Sequence, residues 1–135
     1  MLYSILNIFF FVFHTTFTVF NITGWMFRKT RKLNWITLML TAISWFGLGI
    51  CYGWGYCFCT DWHWAVREEL GLHDQRRSYI HFLLLKLTGM DFNEELVEKL
   101  TLYFFIVSLV ISTLLNIKDW KQKRSLLKQN SGVHV

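Results

Sequence analysis

The sequence predicts an all-α integral membrane protein with three transmembrane helices and one or two short interfacial helices on the outer side. The chain of 135 residues is 53% hydrophobic and 19% aromatic, and it contains no proline. Three uncharged apolar runs, residues 2–27, 33–54 and 100–117, are each long enough to cross a bilayer, whose core of roughly 30 Å needs about 20 helical residues. Such a chain is too apolar for an ordinary soluble domain.

The first two predicted spans, residues 2–27 and 33–54, are separated by a short link that carries four basic residues. The third predicted span, residues 96–117, begins before its apolar run. Asn93 is followed there by two glutamates, which is a good helix start because the amide caps the helix and the acids favour its positive end.

The stretch between the second and third spans, residues 55–95, is expected to lie on the outer side. Thr60 is a plausible helix cap and Gly71 a plausible helix stop, which predicts a short helix over residues 61–70 that lies on the membrane surface. A further apolar segment, residues 79–87, is too short to cross the bilayer, and its sequence fits either an interfacial or a re-entrant position.

The basic residues predict the topology. Nine of the fourteen Lys and Arg residues lie in two short segments, residues 28–32 and 118–128, and such flanks stay in the cytoplasm. We therefore expect the N-terminus outside the cell, a single membrane domain over residues 1–128, and a flexible cytoplasmic tail over residues 129–135. The net charge of +5 is then a topology signal. The expected partners are the lipid bilayer and another membrane protein or a second copy of the chain, and not nucleic acid.

His14 is the one titratable side chain near the middle of a predicted span, where such residues are rare and often functional. Polar residues at helical spacing give each span one polar face, which belongs against another helix. Because the depth of His14 matches hydroxyl groups on the other two spans, we expect hydrogen bonds that hold the helices in register, with proton handling or haem ligation as alternatives. This intramembrane polar site comprises His14, Thr41, Ser44 and Ser112.

A cluster of potential metal ligands follows the second span. Cys57, Cys59 and His63 could bind copper or zinc, because thiolates and imidazole suit both metals. An oxidising outer location makes a disulfide of Cys51 with either later cysteine, or inert thiols, an equally natural outcome. The sequence requires no cofactor, and it leaves copper, zinc and haem open.

The same turn also carries a candidate docking surface. On the predicted helix we expect Trp62 and Val66 to point inward, and Arg67 and Glu68 to face the lipid head groups. An enzyme acting on a lipid or quinone could use Asp61, His63 and Arg67 as acid, base and anion holder, although residues two apart on a helix face different directions. The predicted docking turn comprises Trp54, Asp61, Trp62, Trp64 and Arg67.

Several short motifs within residues 1–117 resemble a known family. They are Leu2 and Tyr3 ahead of a first span with His14, the string YGWGYC over residues 52–57, the string TDWHW over residues 60–64 followed by Arg67, and the strings SYI and LTG over residues 78–80 and 87–89. The chain resembles the small bacterial multi-pass membrane proteins catalogued as domain of unknown function 2784. The resemblance implies a bacterial inner-membrane protein, and it brings no established activity, substrate or cofactor.

The function predicted first is that of an accessory or structural subunit that docks on a larger membrane complex. The small size and the lack of a recognisable catalytic motif favour this role. The alternatives are a metal-handling, haem-handling or redox protein at the outer face, and a lipid- or quinone-directed membrane enzyme.

Overall fold

A computed structural model describes residues 1–131 of the chain. Within these residues the structure is helical, with no strand. The helices are α1 (Leu2–Thr23), continued by a 3-10 turn (Gly24–Met26), α2 (Arg31–Ala42), continued by a π-helical segment (Ile43–Leu48) and α3 (Gly49–Tyr52), then α4 (Phe58–Glu69), α5 (Tyr79–Thr88) and α6 (Glu94–Ser131).

Three helical segments are long and apolar enough to cross a membrane, which confirms the predicted fold class. They are Leu2–Met26, Arg31–Tyr52 and Glu94–Ser131. The second segment ends where Gly53 adopts a φ of +106°, a conformation that favours glycine. The third continues well past its predicted end. Residues 129–131 of the predicted tail are therefore helical, and the rest of that tail lies outside the described residues.

The bundle has two ends. We call the end at Leu2, Tyr52 and Glu94 the Met1 side, and the end that carries the basic segments 28–32 and 118–128 the basic side. Two short helices, α4 and α5, are found at the Met1 side, where the sequence predicts one or two.

At the basic side, α2 packs against α6 through polar contacts. The Trp35 indole N–H donates to Thr113 Oγ1 at 3.1 Å, and Asn116 Nδ2 donates to the backbone carbonyl of Arg31 at 3.1 Å. Arg31 Nη1 also lies 3.2 and 3.0 Å from the two carboxylate oxygens of Asp119. These contacts fix the link between the first two spans to the last helix.

The first helix joins α2 on the same side through two asparagines. The Thr37 hydroxyl donates to Asn21 Oδ1 at 2.7 Å, and Asn21 Nδ2 donates to Thr41 Oγ1 at 3.2 Å. Asn34, which is fully buried, donates from Nδ2 to the carbonyl of Phe20 at 2.8 Å. Unpaired amides are costly in hydrocarbon, so this pairing favours one fixed register of the two helices.

At the Met1 side, the first half of α1 packs against α4. Asn7 contacts His63 and Arg67, whereas His14 contacts Cys57 and Thr60. Since later residues of α1 meet earlier residues of α4, the two helices run antiparallel. The short helix therefore runs along α1 from the level of His14 to the level of Asn7.

The predicted facing of this helix is wrong for two of its residues. Val66 points inward as expected, but the side chain of Trp62 is 59% exposed and Arg67 is only 5% exposed. The cause is the amide of Asn7, which needs polar partners inside the bundle and draws the face of α4 that carries Arg67 toward α1. The tryptophan, about a third of a turn from His63, is left on the surface.

Candidate functional site

His63 lies at the centre of the polar residues on the Met1 side and is fully buried. Its Nε2 lies 2.8 Å from Asn7 Oδ1, and its Nδ1 lies 2.6 Å from the Tyr79 hydroxyl. The same Asn7 oxygen accepts a hydrogen bond from Arg67 Nη1 at 3.0 Å, which identifies it as the amide oxygen. Because this oxygen only accepts, His63 donates from Nε2. In the neutral ring Nδ1 then accepts from Tyr79.

The electrostatic surroundings keep His63 in this neutral form. Burial lowers the pKa of His63 to about 4, and the positive charge of Arg67 acts in the same direction. Burial also raises the pKa of Tyr79, so its hydroxyl keeps the proton that it donates. At neutral pH one imidazole thus joins α1, α4 and α5.

Arg67 is buried beside this histidine and is paired with a carboxylate. It forms an ion pair with Asp74, which also binds Lys86 Nζ at 2.8 Å. Its guanidinium carbon lies 4.8 Å from the centre of the Phe82 ring. Partial burial alone would raise the pKa of Asp74, but the hydrogen bonds from Lys86 and Arg67 outweigh this effect and hold it at about 2. Asp74 is therefore charged throughout the physiological range.

His14 binds α4, where the sequence predicted hydroxyl partners on the other two spans. Its Nε2 lies 3.2 Å from Thr60 Oγ1 and 3.8 Å from Cys57 Sγ, and the Tyr79 ring lies 4.1 Å away between centroids. Its Nδ1 is buried and has no partner among residues 1–131. The prediction failed because α4 occupies the space beside His14 at this depth.

The three hydroxyl groups predicted to bind His14 have other surroundings. Thr41 accepts from Asn21, and Ser44 donates to the carbonyl of Tyr56 at 3.0 Å. The hydroxyl of Ser112 is buried without a partner in the described part of the chain. Within the described part of the chain, none of these three hydroxyl groups forms a hydrogen bond with His14.

The three predicted metal ligands are not brought together. Cys57 lies next to Cys59 and His14, whereas both ring nitrogens of His63 are engaged by other residues. Burial raises the pKa of the Cys59 thiol to about 11, and the neighbouring Cys57 adds to this effect. Over residues 1–131, no group of three or more His, Cys, Asp and Glu side chains could hold a metal ion. All three cysteines are free thiols.

The predicted docking turn divides into a surface part and a buried part. Trp54 is 85% exposed, and Asp61 and Trp62 are also exposed. The phenol of Tyr56 donates to Asp61 at 3.3 Å. Trp64, by contrast, packs with its ring centre 5.0 Å from that of Phe82, and Arg67 is buried. Of the five residues of the predicted docking turn, Trp54, Asp61 and Trp62 are the exposed ones.

The sequence model of one protein family, described as Protein of Unknown function (DUF2784), matches residues 4–117. The chain belongs to this family. No curated protein and no solved structure matches it. In this DUF2784 protein the matched region includes the whole His63 network and the docking turn, and it ends before the basic helical extension of α6.

Three important residues of this DUF2784 protein were not assigned to a candidate site from the sequence. Asn7 had a usable signal, because it lies seven residues before His14 and on the same face of α1. Tyr79 lies in the string SYI that carries the family resemblance, but it opens an apolar segment and nothing there marks it as a partner of His63, and Asp74 lies in a loop without a signal. Only the packing of α5 against α4 reveals that the tyrosine reaches His63.

The chemistry open to the buried network of this DUF2784 protein is limited. Both nitrogens of His63 are occupied, and the Asn7 amide beside it cannot relay a proton in the way that a hydroxyl or a carboxyl can. The network therefore fixes three helices to one another. Asp61 also belongs to α4 and lies at the depth of His14, but its side chain is exposed and faces away from the network.

Proposed function

We propose that this protein is an accessory subunit of a larger membrane complex in the bacterial inner membrane. In this proposal the Met1 side lies outside the cell, and the partner docks on the surface formed by Trp54, Asp61 and Trp62. The observation that carries the proposal is that the carboxylate of Asp61 is exposed at the level of His14, the middle of the first candidate span.

The depth of Asp61 follows from its neighbours. His14 is midway between Leu2 and Met26, the ends of the first candidate span. Thr60 contacts His14, and Asp61 is the next residue of the same helix. An aspartate at the centre of a membrane helix costs about 2.5 to 3.5 kcal/mol on insertion scales. A neighbouring protein that offers a cation or hydrogen-bond donors removes this cost.

The residues around Asp61 suit a protein contact. The Tyr56 phenol supplies one donor to the carboxylate, which leaves most of its acceptor sites open. Trp62 is 59% exposed and Trp54 is 85% exposed, and large aromatic side chains often dominate the binding energy of protein interfaces. The charge of Asp61 predicts that the partner presents Arg, Lys or a cluster of donors at this depth.

The distribution of charge supports the proposed orientation. The basic side carries nine Lys and Arg residues in its two segments, and such segments remain in the cytoplasm. One acidic residue, Asp119, lies among them, and it is paired with Arg31 and Arg28. The remaining cations face the proposed cytoplasmic surface.

The enzyme alternative has less support from the geometry. Its predicted acid, Asp61, faces outward, whereas its predicted base and anion holder, His63 and Arg67, face α1. The three groups therefore do not converge on one substrate position. The metal alternative has less support because both ring nitrogens of His63 form hydrogen bonds, with Asn7 and Tyr79, and neither is free to bind a metal ion.

Site-specific photo-crosslinking in living cells tests the proposal. A benzophenone amino acid is placed at position 62, and at position 103 as a matched control, since Trp62 and Tyr103 are both aromatic and are 59% and 62% exposed. We expect one discrete adduct from position 62, with a partner that mass spectrometry identifies as a membrane protein. We expect no adduct of that size from position 103.

A second variant links the adduct to the carboxylate. Asp61→Asn keeps the shape of the side chain and removes its charge, so the adduct from position 62 should weaken several-fold. Lipid adducts alone from both positions would contradict the proposal. An adduct with twice the chain mass of 16.2 kDa would contradict the proposed larger complex and would show instead that the chain forms a homodimer.

A further inference from the structure

We propose that a groove between α1, α4 and α5 binds the phosphate head group of an acidic phospholipid. The groove has a volume of about 230 Å³. Its walls combine two cations and an amide with three apolar side chains. The lining residues are Asn7, Ile8, Phe11, Arg67, Phe82 and Lys86.

The groove lies between the bilayer midplane and the lipid head groups of the Met1 side, about 10 Å from the level of His14. Asn7 and Ile8 lie in the second turn of α1, close to the Met1 end of the first candidate span. Ile8 is 63% exposed, so the groove opens sideways toward the bilayer. Basic pockets between membrane helices bind acidic head groups on the cytoplasmic side of other membrane proteins, and the same charge attraction applies here.

The charge in the groove favours an anion. Arg67 and Lys86 share the carboxylate of Asp74, which leaves one positive charge without a counter-charge among these three groups. Both cations also lie against the Phe82 ring, with Arg67 Cζ and Lys86 Nζ at 4.8 and 5.7 Å from its centre. A phosphate placed beside them would complete the neutralisation.

Lys86 is the cation that can reach a lipid. Its side chain is 44% exposed, whereas that of Arg67 is 6% exposed and is held by Asn7 and Asp74. Lys86 can therefore turn from Asp74 to an arriving phosphate while the buried arginine keeps its place. The phosphate then sits in the combined field of both cations.

The apolar wall distinguishes a lipid from a free anion. Ile8, Phe11 and Phe82 line the groove beside the charged groups. These side chains can contact the upper part of an acyl chain, and inorganic phosphate offers nothing to them. The groove thus matches an amphipathic ligand with a negative head.

Native mass spectrometry of the full chain in mild detergent tests the proposal. Phosphatidylglycerol and phosphatidylcholine are added in equal amounts, and the wild-type chain should retain one phosphatidylglycerol in preference. Lys86→Gln should weaken this retention about fivefold, the expected effect of one basic residue near a head group. Lys99→Gln is the matched control, because Lys99 is 72% exposed on α6 and is paired with Glu95. It should leave the preference unchanged.

Asp74→Asn gives a prediction of opposite sign. It removes the competing carboxylate and should strengthen retention of phosphatidylglycerol, which a variant that merely damaged the fold would not do. Circular dichroism confirms that each variant remains helical. Equal retention of the two lipids by the wild-type chain, or an equal loss in the Lys99→Gln variant, would overturn the proposal. Displacement of the lipid by excess inorganic phosphate would overturn it in favour of a free-anion site.

Discussion

The strongest test of the His63 network is the removal of one oxygen atom by Tyr79→Phe. The Tyr79 hydroxyl lies 2.6 Å from His63 Nδ1, and His63 is fully buried. Phenylalanine keeps the ring that packs 4.1 Å from His14 and 5.3 Å from Trp64 between centroids. The substitution therefore isolates the hydrogen bond and leaves a buried acceptor on His63 without a partner.

The size of the effect follows from the burial of the acceptor. A hydrogen bond contributes about 1 kcal/mol net, and a buried group left unsatisfied costs about 1 to 3 kcal/mol. Because no solvent reaches His63, we expect Tyr79→Phe to lower the free energy of unfolding by about 2 kcal/mol, or roughly thirtyfold in the equilibrium constant. Because the hydrogen bond joins two residues of one chain, its loss lowers the stability of the folded state.

Unfolding by sodium dodecyl sulfate in mixed micelles, followed by circular dichroism, measures this free energy. Tyr103→Phe provides the control, since Tyr103 is 62% exposed on α6, and a surface change of this kind should stay within about 0.5 kcal/mol of the wild-type value. Equal stabilities of the two variants would refute the hydrogen bond between Tyr79 and His63.

Three further predictions concern the pH dependence and the basic side. The pKa of His63 is about 4 in the folded chain and ordinarily about 6.5 when unfolded, so the unfolded state binds the proton first and stability should fall by up to about 3 kcal/mol between pH 6.5 and pH 4. His63→Gln should remove this part of the decline in unfolding measured at pH 7 and pH 5. Gly24→Ala should cost about 1 to 3 kcal/mol in the same assay, because the added Cβ would lie 2.9 Å from Asn34 Nδ2 and displace a buried amide. Asp119→Asn should cost less than about 1 kcal/mol and become less costly in high salt, since its pair with Arg31 is partly exposed.

The three spans could be predicted from sequence because lipid imposes one simple requirement. A helix of about 20 uncharged residues satisfies its own backbone and buries its side chains in hydrocarbon, so length and charge alone identify it. The second run, predicted over residues 33–54, is found at Arg31–Tyr52, and the start of the last helix was predicted separately from its cap, Asn93, which accepts from the backbone N–H of Leu96. The π-helical segment Ile43–Leu48 could not be predicted in this way, since it changes neither the length nor the polarity of its span.

The candidate site was predicted less well. Helical spacing shows which residues share one face of a helix, but it does not show which neighbouring helix that face contacts. Arg67 was assigned to the head groups from its charge, yet Asn7 and Asp74 offer it partners inside. The partners of His14 were chosen by depth among three helices. The fourth helix at that depth, which begins only at Phe58, carries the residues that bind it.

The polar residues of α1 explain why a short helix packs inside this bundle. Asn7, His14 and Asn21 are spaced by seven residues, which is nearly two full turns, so they form one stripe along the helix. In hydrocarbon each of these side chains needs a partner. Asn21 finds its partners on α2, whereas Asn7 and His14 find theirs on α4. The stripe thus requires two different helices along its length.

The matching stripe on α4 also determines what remains on the surface. Thr60, His63 and Arg67, at offsets of three and four, share one helical face, and all three contact α1. Asp61 and Trp62 lie between them in sequence and therefore point elsewhere. The polar residues that bind α4 to α1 consequently expose a carboxylate and an indole at the same depth. A chain that needed α4 only to cover its own polar stripe could carry an apolar side chain at position 61 as well as at position 62, so the exposed carboxylate of Asp61 favours a partner on this face.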